Sequence, residues 1–116
     1  MSPETYRLLH VVGVLLLFLG LGGVLASAGR DGGKPPGLYT ALHGLGLVVM
    51  FVAGIGVMHK AGYAWDPWVL GKIAIWILLG AMPVLVRRGV LPRMVALLLV
   101  VALGAAAAWL GLTKPF

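Results

Sequence analysis

The chain has 116 residues, 61% of them hydrophobic, with nine basic residues, three acidic residues and no cysteine. A soluble domain is about 45–50% apolar and about one quarter charged, so a soluble globular domain is excluded. The absence of cysteine excludes a disulfide scaffold, an iron–sulfur protein, a Cys-based zinc site and thiol catalysis.

Four runs match the roughly 20 residues that an apolar helix needs to cross a hydrocarbon core of about 30 Å. Leu8–Ala28 is 21 residues long and carries no formal charge. Ala26-Ser27-Ala28 resembles a signal-peptidase site, but the apolar run is long for a leader, and Glu4 stands beside Arg7 ahead of it. The segment is therefore read as the first span. Gly29–Gly37 follows as a turn-rich loop. Leu38–Met58 is the second span, and His59–Pro67 is the second loop. Within that loop, Asp66-Pro67 reads as a helix N-cap followed by proline at the first helical position. Trp68–Val86 is the third span, interrupted by Lys72, and Pro83 is expected to free the Leu79 carbonyl and kink it. Arg87–Arg93 is the last loop, and Met94–Leu112 is an uncharged fourth span. The ten-residue alternation of a membrane β-barrel is missing. The expected fold is an all-α, integral-membrane four-helix bundle, 1–116 as a single domain, with short loops and up-down-up-down order.

Four spans place both termini on one side. That side carries Arg7, Lys60, Lys114 and the inset Lys72; the other carries Arg30, Lys34, Arg87, Arg88 and Arg93. Positive residues favour the cytoplasmic side, so both termini are expected outside. The basic residues are scattered along membrane edges, which suits anionic lipid headgroups rather than nucleic acid. Tyr6, Trp65, Trp68 and Trp109 are expected as interfacial anchors of an aromatic belt, with Tyr63 in the loop beside them.

The first two spans echo each other. Leu9-His10-x-x-Gly13 aligns with Leu42-His43-x-x-Gly46, and at the same offset Phe18, Gly23 and Val24 meet Phe51, Gly56 and Val57. If the repeat is genuine, the helices are antiparallel neighbours related by a two-fold axis in the membrane plane. Small residues should bring helices together: Gly13, Gly20 and Ser27 on the first span, Gly46 and Ala53 on the second, and Gly104 with Ala108 on the fourth. No strand surrounds the glycines, so a dinucleotide-binding fingerprint is not indicated. Gly33-Lys34 is not a phosphate-binding loop, because Ala28 and Pro35 stand where glycine and Ser/Thr are needed.

Ionisable groups within a span are functional candidates by default. His10 shares a face with Tyr6, Gly13, Leu17 and Gly20. His43 shares one with Tyr39, Gly46, Met50 and Gly54. Both should look inward, from opposite membrane sides. Their depths should differ by about 16 Å in a core of about 30 Å, which forbids shared ligation of one haem iron. His59 ends the second span on the His10 side, about 7 Å away in depth at 1.5 Å per residue. Each histidine is read first as a neutral imidazole bonded to a neighbouring helix, with haem or metal ligation as the alternative. Met50, Met58, Met82 and Met94 do not cluster as copper ligands. Lys72 has no acid within any span. It either snorkels or meets an anion from outside the chain, such as a lipid phosphate, a haem propionate or a partner subunit; Asp66 is the intramolecular candidate. No paired carboxylate and no hydrolase set is present.

Leu9-His10 near the start of span one, Gly54-Ile55-Gly56 in span two, Trp68-x-x-x-Lys72 opening span three and Arg87-Arg88 closing it together resemble a group of small helical membrane proteins. The group includes SirB-like proteins, CopD-type copper-resistance proteins and the HemJ protoporphyrinogen oxidases, and the resemblance covers about residues 8–88. It implies a bacterial inner-membrane protein. In the HemJ branch a first-span histidine and a third-span lysine are associated with haem and porphyrin, which here implies His10 and Lys72. The chain departs from that branch in having His43, and from CopD-type proteins in lacking clustered copper ligands. The leading expectation is a structural or accessory subunit of a larger membrane assembly, with a membrane-protein partner or a second copy and no catalysis of its own. The alternative is a protein that binds b-type haem through His10, Lys72, His43 or His59. A small transporter ranks last, because no intramembrane acid is available to couple an ion.

Overall fold

The computed structural model describes residues 2–27 and 37–114. They form four α-helices: α1 Pro3–Ser27, α2 Gly37–Ala61, α3 Pro67–Arg87 and α4 Arg93–Thr113. Each is long and apolar enough to cross a membrane, and no strand occurs among the described residues. The first loop, with Arg30, the Gly33-Lys34 pair and the end of the first span at Ala28, lies outside the described residues.

The helix ends follow local chemistry. α1 begins five residues before the uncharged run, because Ser2, Pro3 and Glu4 make a good helix start. Ser2 Oγ accepts the Thr5 amide at 3.2 Å, proline occupies the first turn, and Glu4 faces the positive end of the helix dipole. α2 closes at Gly62, whose φ of 75° is natural only for glycine; the Tyr63 amide then reaches back to the Met58 carbonyl at 2.9 Å. α3 closes the same way at Gly89, with φ of 74° and the Val90 amide bonded to the Leu85 carbonyl at 2.9 Å. Asp66 is the N-cap of α3 and Pro67 stands in its first turn, as the sequence leads one to expect. The Asp66 side chain makes no cap bond, and its backbone carbonyl accepts the amides of Val69 and Leu70 instead. Pro83 sits inside α3, which continues to Arg87.

The helices fall into two compact units, one built on α1 and α2 and the other on α3 and α4. In the first unit, α1 presents a seam of Tyr6, His10, Gly13, Leu17, Gly20 and Val24. α2 presents Tyr39, His43, Gly46, Met50, Ala53 and Val57. Both seams step by four and three residues, the spacing of one helical face. The backbones come together at their glycines. A Cβ on Gly13 would stand 2.7 Å from Met50 Cα, and one on Gly46 would stand 2.6 Å from Leu17 Cα and 2.7 Å from the Gly13 carbonyl. Neither position could hold a larger residue without parting the helices. This is the small-residue packing that lipid favours, because apolar side chains gain little by leaving hydrocarbon.

The contacts obey the sequence offset. Leu17 and Met50 are 33 residues apart, as are Gly13 and Gly46. Gly13 meets Met50, and Gly46 meets Leu17. Gly23 packs on the Tyr39 ring, and Gly56 packs on the Tyr6 ring. Each contact therefore has a mate related by a two-fold axis perpendicular to the hairpin. In the second unit α3 packs on α4. Gly71 lies against Leu110, and Gly111 lies against Lys72. Ala96, Val100 and Leu110 are buried, while Met94, Leu98, Val101, Ala105, Ala108 and Leu112 occupy the opposite face of α4 and are exposed.

Candidate functional site

The two intramembrane histidines occupy equivalent places in the hairpin. His10 Nδ1 lies 2.8 Å from the Met50 carbonyl oxygen, and His43 Nδ1 lies 3.3 Å from the Leu17 carbonyl oxygen. Each bond joins an imidazole N–H to the backbone of the facing helix, and the two acceptors are themselves mates under the offset. A carbonyl accepts only from a protonated nitrogen, so both rings carry their proton on Nδ1. The bonds sit where glycine opens the facing helix. Gly54 lies against the His10 ring, at 3.2 Å from a Cβ position to Cε1, and Gly20 lies against the His43 backbone. His10 is half-buried, and His43 is buried at 5% exposure.

The register also fixes the separation of the two rings. His43 stands level with Gly20, ten residues along α1 from His10. At 1.5 Å per residue that is about 15 Å. One haem iron holds both axial nitrogens within about 2 Å of itself, the usual metal–imidazole distance. A bis-histidine haem on His10 and His43 therefore does not fit. His59 is exposed at the end of α2, five residues beyond Gly54, or about 7 Å further along the axis from the His10 level. It does not join His10. Among the described residues, no three His, Asp or Glu side chains converge as a metal site.

In the second unit, Lys72 is half-buried on α3 and its ammonium reaches the α4 backbone. A Cβ on Gly111 would stand 3.1 Å from Lys72 Nζ. Lys114 closes α4 in the left-handed region with φ of 46°, and its own Nζ donates to the Gly111 carbonyl at 2.7 Å. The same Nζ lies 5.4 Å from the centroid of the Trp68 ring. Among the described residues, no ion pair joins Asp66 to Lys72. Lys114 and Gly111 were not singled out by the sequence; the signal was the small residue one helix turn before a terminal lysine.

The aromatic residues divide. Trp65 and Trp109 are about half exposed. Trp68 is buried at 7% exposure beneath Lys114. Tyr6 lays its ring on Gly56 and belongs to the hairpin seam. Of the small residues, Gly13, Gly20, Gly46 and Ala53 are buried, Gly54 and Gly104 are half-buried, and Ala108 is exposed. Comparison with family models, curated proteins and solved structures produced no match.

Proposed function

We propose that the chain is a multi-pass protein of the bacterial inner membrane that acts as a structural accessory subunit, with both termini outside and no catalysis of its own. The observation that carries this reading is the face of α4 opposite its buried residues Ala96, Val100 and Leu110. Met94, Leu98, Val101, Ala105, Ala108 and Leu112 repeat at steps of four and three residues, and all six are exposed. A 3.5-residue repeat is the signature of a helix that meets another helix. Ala105 and Ala108 add the small surface that allows close approach in lipid. Inside the hairpin, the histidines hold one helix to the next, which suits a rigid scaffold. The likeness of residues 8–88 to the SirB-like group agrees with a small helical membrane protein.

The test is a photo-crosslinking amino acid placed at Ala108, and separately at Ala102, in cells. The expected result is a discrete adduct with another membrane protein from position 108 in greater yield than from position 102. An adduct with a second copy of the chain would make the assembly a homo-oligomer. Adducts with lipid alone from position 108 would refute the reading.

A second reading is supported by the Nδ1–carbonyl bond of His10. Ligating histidines commonly donate the other ring N–H to a carbonyl, which orients Nε2 toward the metal. His10 would then be the residue that holds a b-type haem, and haem would supply one-electron chemistry. The test is an absorption spectrum of purified protein, oxidised and then reduced with dithionite. A Soret band lost in His10→Ala but kept in His43→Ala supports this reading. A blank visible spectrum from folded protein rejects it.

A further inference from the structure

The α3–α4 unit brings two ammonium groups to one glycine. Lys72 comes from inside α3, and Lys114 comes from the end of α4; Nζ of the first lies 3.1 Å from the Cβ position of Gly111, and Nζ of the second bonds the Gly111 carbonyl at 2.7 Å. Like charges are not normally gathered at a membrane edge, because they repel and each loses hydration there. The helix dipoles do not compensate, since the α3 N-terminus and the α4 C-terminus lie at the same end and largely cancel. Asp66 is the acid in this part of the chain, and among the described residues no ion pair joins it to Lys72.

Backbone strain accompanies the convergence. Lys114 is the one non-glycine residue with positive φ among the described residues. A left-handed conformation costs a side-chain-bearing residue about 1–2 kcal/mol. Here the exposed lysine folds back over α4, so that its ammonium bonds the Gly111 carbonyl and lies beside the Trp68 ring. Strain of this kind is concentrated where a group must be aimed.

We infer that Lys72 and Lys114, backed by Trp68 and admitted by Gly111, form a binding site for a phosphate oxyanion at the interfacial end of the α3–α4 pair. Gly111 has no side chain to block Lys72, and the Trp68 face holds Lys114 by cation–π attraction. Two ammonium groups present up to six donors, enough for the oxygens of one phosphate while each keeps its contacts to the protein. The surrounding apolar helices favour the phosphodiester of an anionic lipid over free phosphate as its source. The inference is independent of the accessory-subunit reading.

The test is native mass spectrometry of protein in a neutral detergent, mixed with phosphatidylglycerol, phosphatidylcholine or inorganic phosphate. The expected result is one retained phosphatidylglycerol and weaker retention of zwitterionic phosphatidylcholine. Lys72→Met and Lys114→Met should each weaken phosphatidylglycerol retention about tenfold, the worth of one charge-assisted bond. Lys72→Arg should retain it. Arg87→Gln combined with Arg88→Gln, which removes two charges from the other end of α3, should leave it unchanged. Competition by inorganic phosphate through the same lysines would assign the site to the free anion; absence of competition would assign it to the lipid. Lys114 is exposed at the helix end, so its substitution reports on binding even where Lys72→Met disturbs folding. Unchanged retention in Lys114→Met, or equal loss in the arginine variant, overturns the inference.

Discussion

Gly46→Ala should weaken the α1–α2 hairpin, whereas Gly44→Ala, two residues away on the same helix, should not. A methyl on Gly46 would lie 2.6 Å from Leu17 Cα and 2.7 Å from the Gly13 carbonyl. Carbon atoms rest at about 3.5–4.0 Å, so the backbones must part by about 1 Å. Both obstacles are backbone, and neither can rotate away. Parting by that amount carries the His43–Leu17 bond, already 3.3 Å long, beyond hydrogen-bonding range. Overpacking costs about 1–3 kcal/mol. A lost interhelical bond in a membrane adds about 0.6 kcal/mol. Alanine returns up to about 1 kcal/mol of helix propensity. The net expectation is a loss of about 1–3 kcal/mol. A Cβ on Gly44 meets nothing within 4 Å, so Gly44→Ala keeps the propensity gain and should be neutral or slightly stabilising. The assay is reversible unfolding in mixed micelles with rising dodecyl sulfate, followed by circular dichroism. Equal midpoints for the two variants, or a Gly46→Ala protein as stable as the parent, would refute the packing account.

Three more outcomes follow from the same contacts. Gly13→Ala should cost as much as Gly46→Ala, because a Cβ there would lie 2.7 Å from Met50 Cα; a difference above about 1 kcal/mol in the same titration would break the two-fold equivalence. Gly56→Ala should be destabilising in the parent chain and largely tolerated with Tyr6→Leu, since the obstacle is the Tyr6 ring; a double-mutant cycle should return a coupling of about 0.5–3 kcal/mol, and a coupling near zero would deny the contact. His43→Ala should cost more than His10→Ala, because His43 is buried and leaves the larger void; the expected losses are about 2 and about 1 kcal/mol by the same unfolding assay, and the reverse order would contradict the burial pattern.

Span number and placement were legible because uncharged runs of about 20 residues have few other uses. The helices extend beyond those runs at both sides of the membrane, most at α1. There Ser2, Pro3 and Glu4 build a polar helix start that a count of apolar residues does not see. The inward turn of His10 and His43 was legible from a four-three seam of small residues. Their separation was legible as well, because register along an antiparallel pair fixes depth. Tyr6 was not. Its place at the N-terminus suggested a belt residue, yet Tyr6 and Tyr39 stand at the same offset of 33 as the histidines, and that equivalence places Tyr6 against Gly56. The Asp66 cap was legible from Asp-Pro ahead of an apolar run, whereas the missing side-chain cap bond depends on the Asp66 rotamer, which spacing does not fix. The Lys72–Lys114 convergence was beyond reach of spacing, since it depends on the α3–α4 register and on a left-handed turn at a lysine.

The two-fold mating of contacts in the α1–α2 hairpin bears on how the protein acquires its orientation during insertion. Turned end over end, the hairpin exchanges Tyr6 with Tyr39, His10 with His43 and Gly13 with Gly46, and its interior is nearly restored. Packing in this half of the chain therefore says almost nothing about which end faces the cytoplasm. That information is left to the charges outside the seam, which the order of the spans in the sequence is expected to divide five to four between the two sides. A hairpin so balanced is indifferent to inversion. Topology in this half is a property of a few surface lysines and arginines, free to change in evolution without any repacking of the interior.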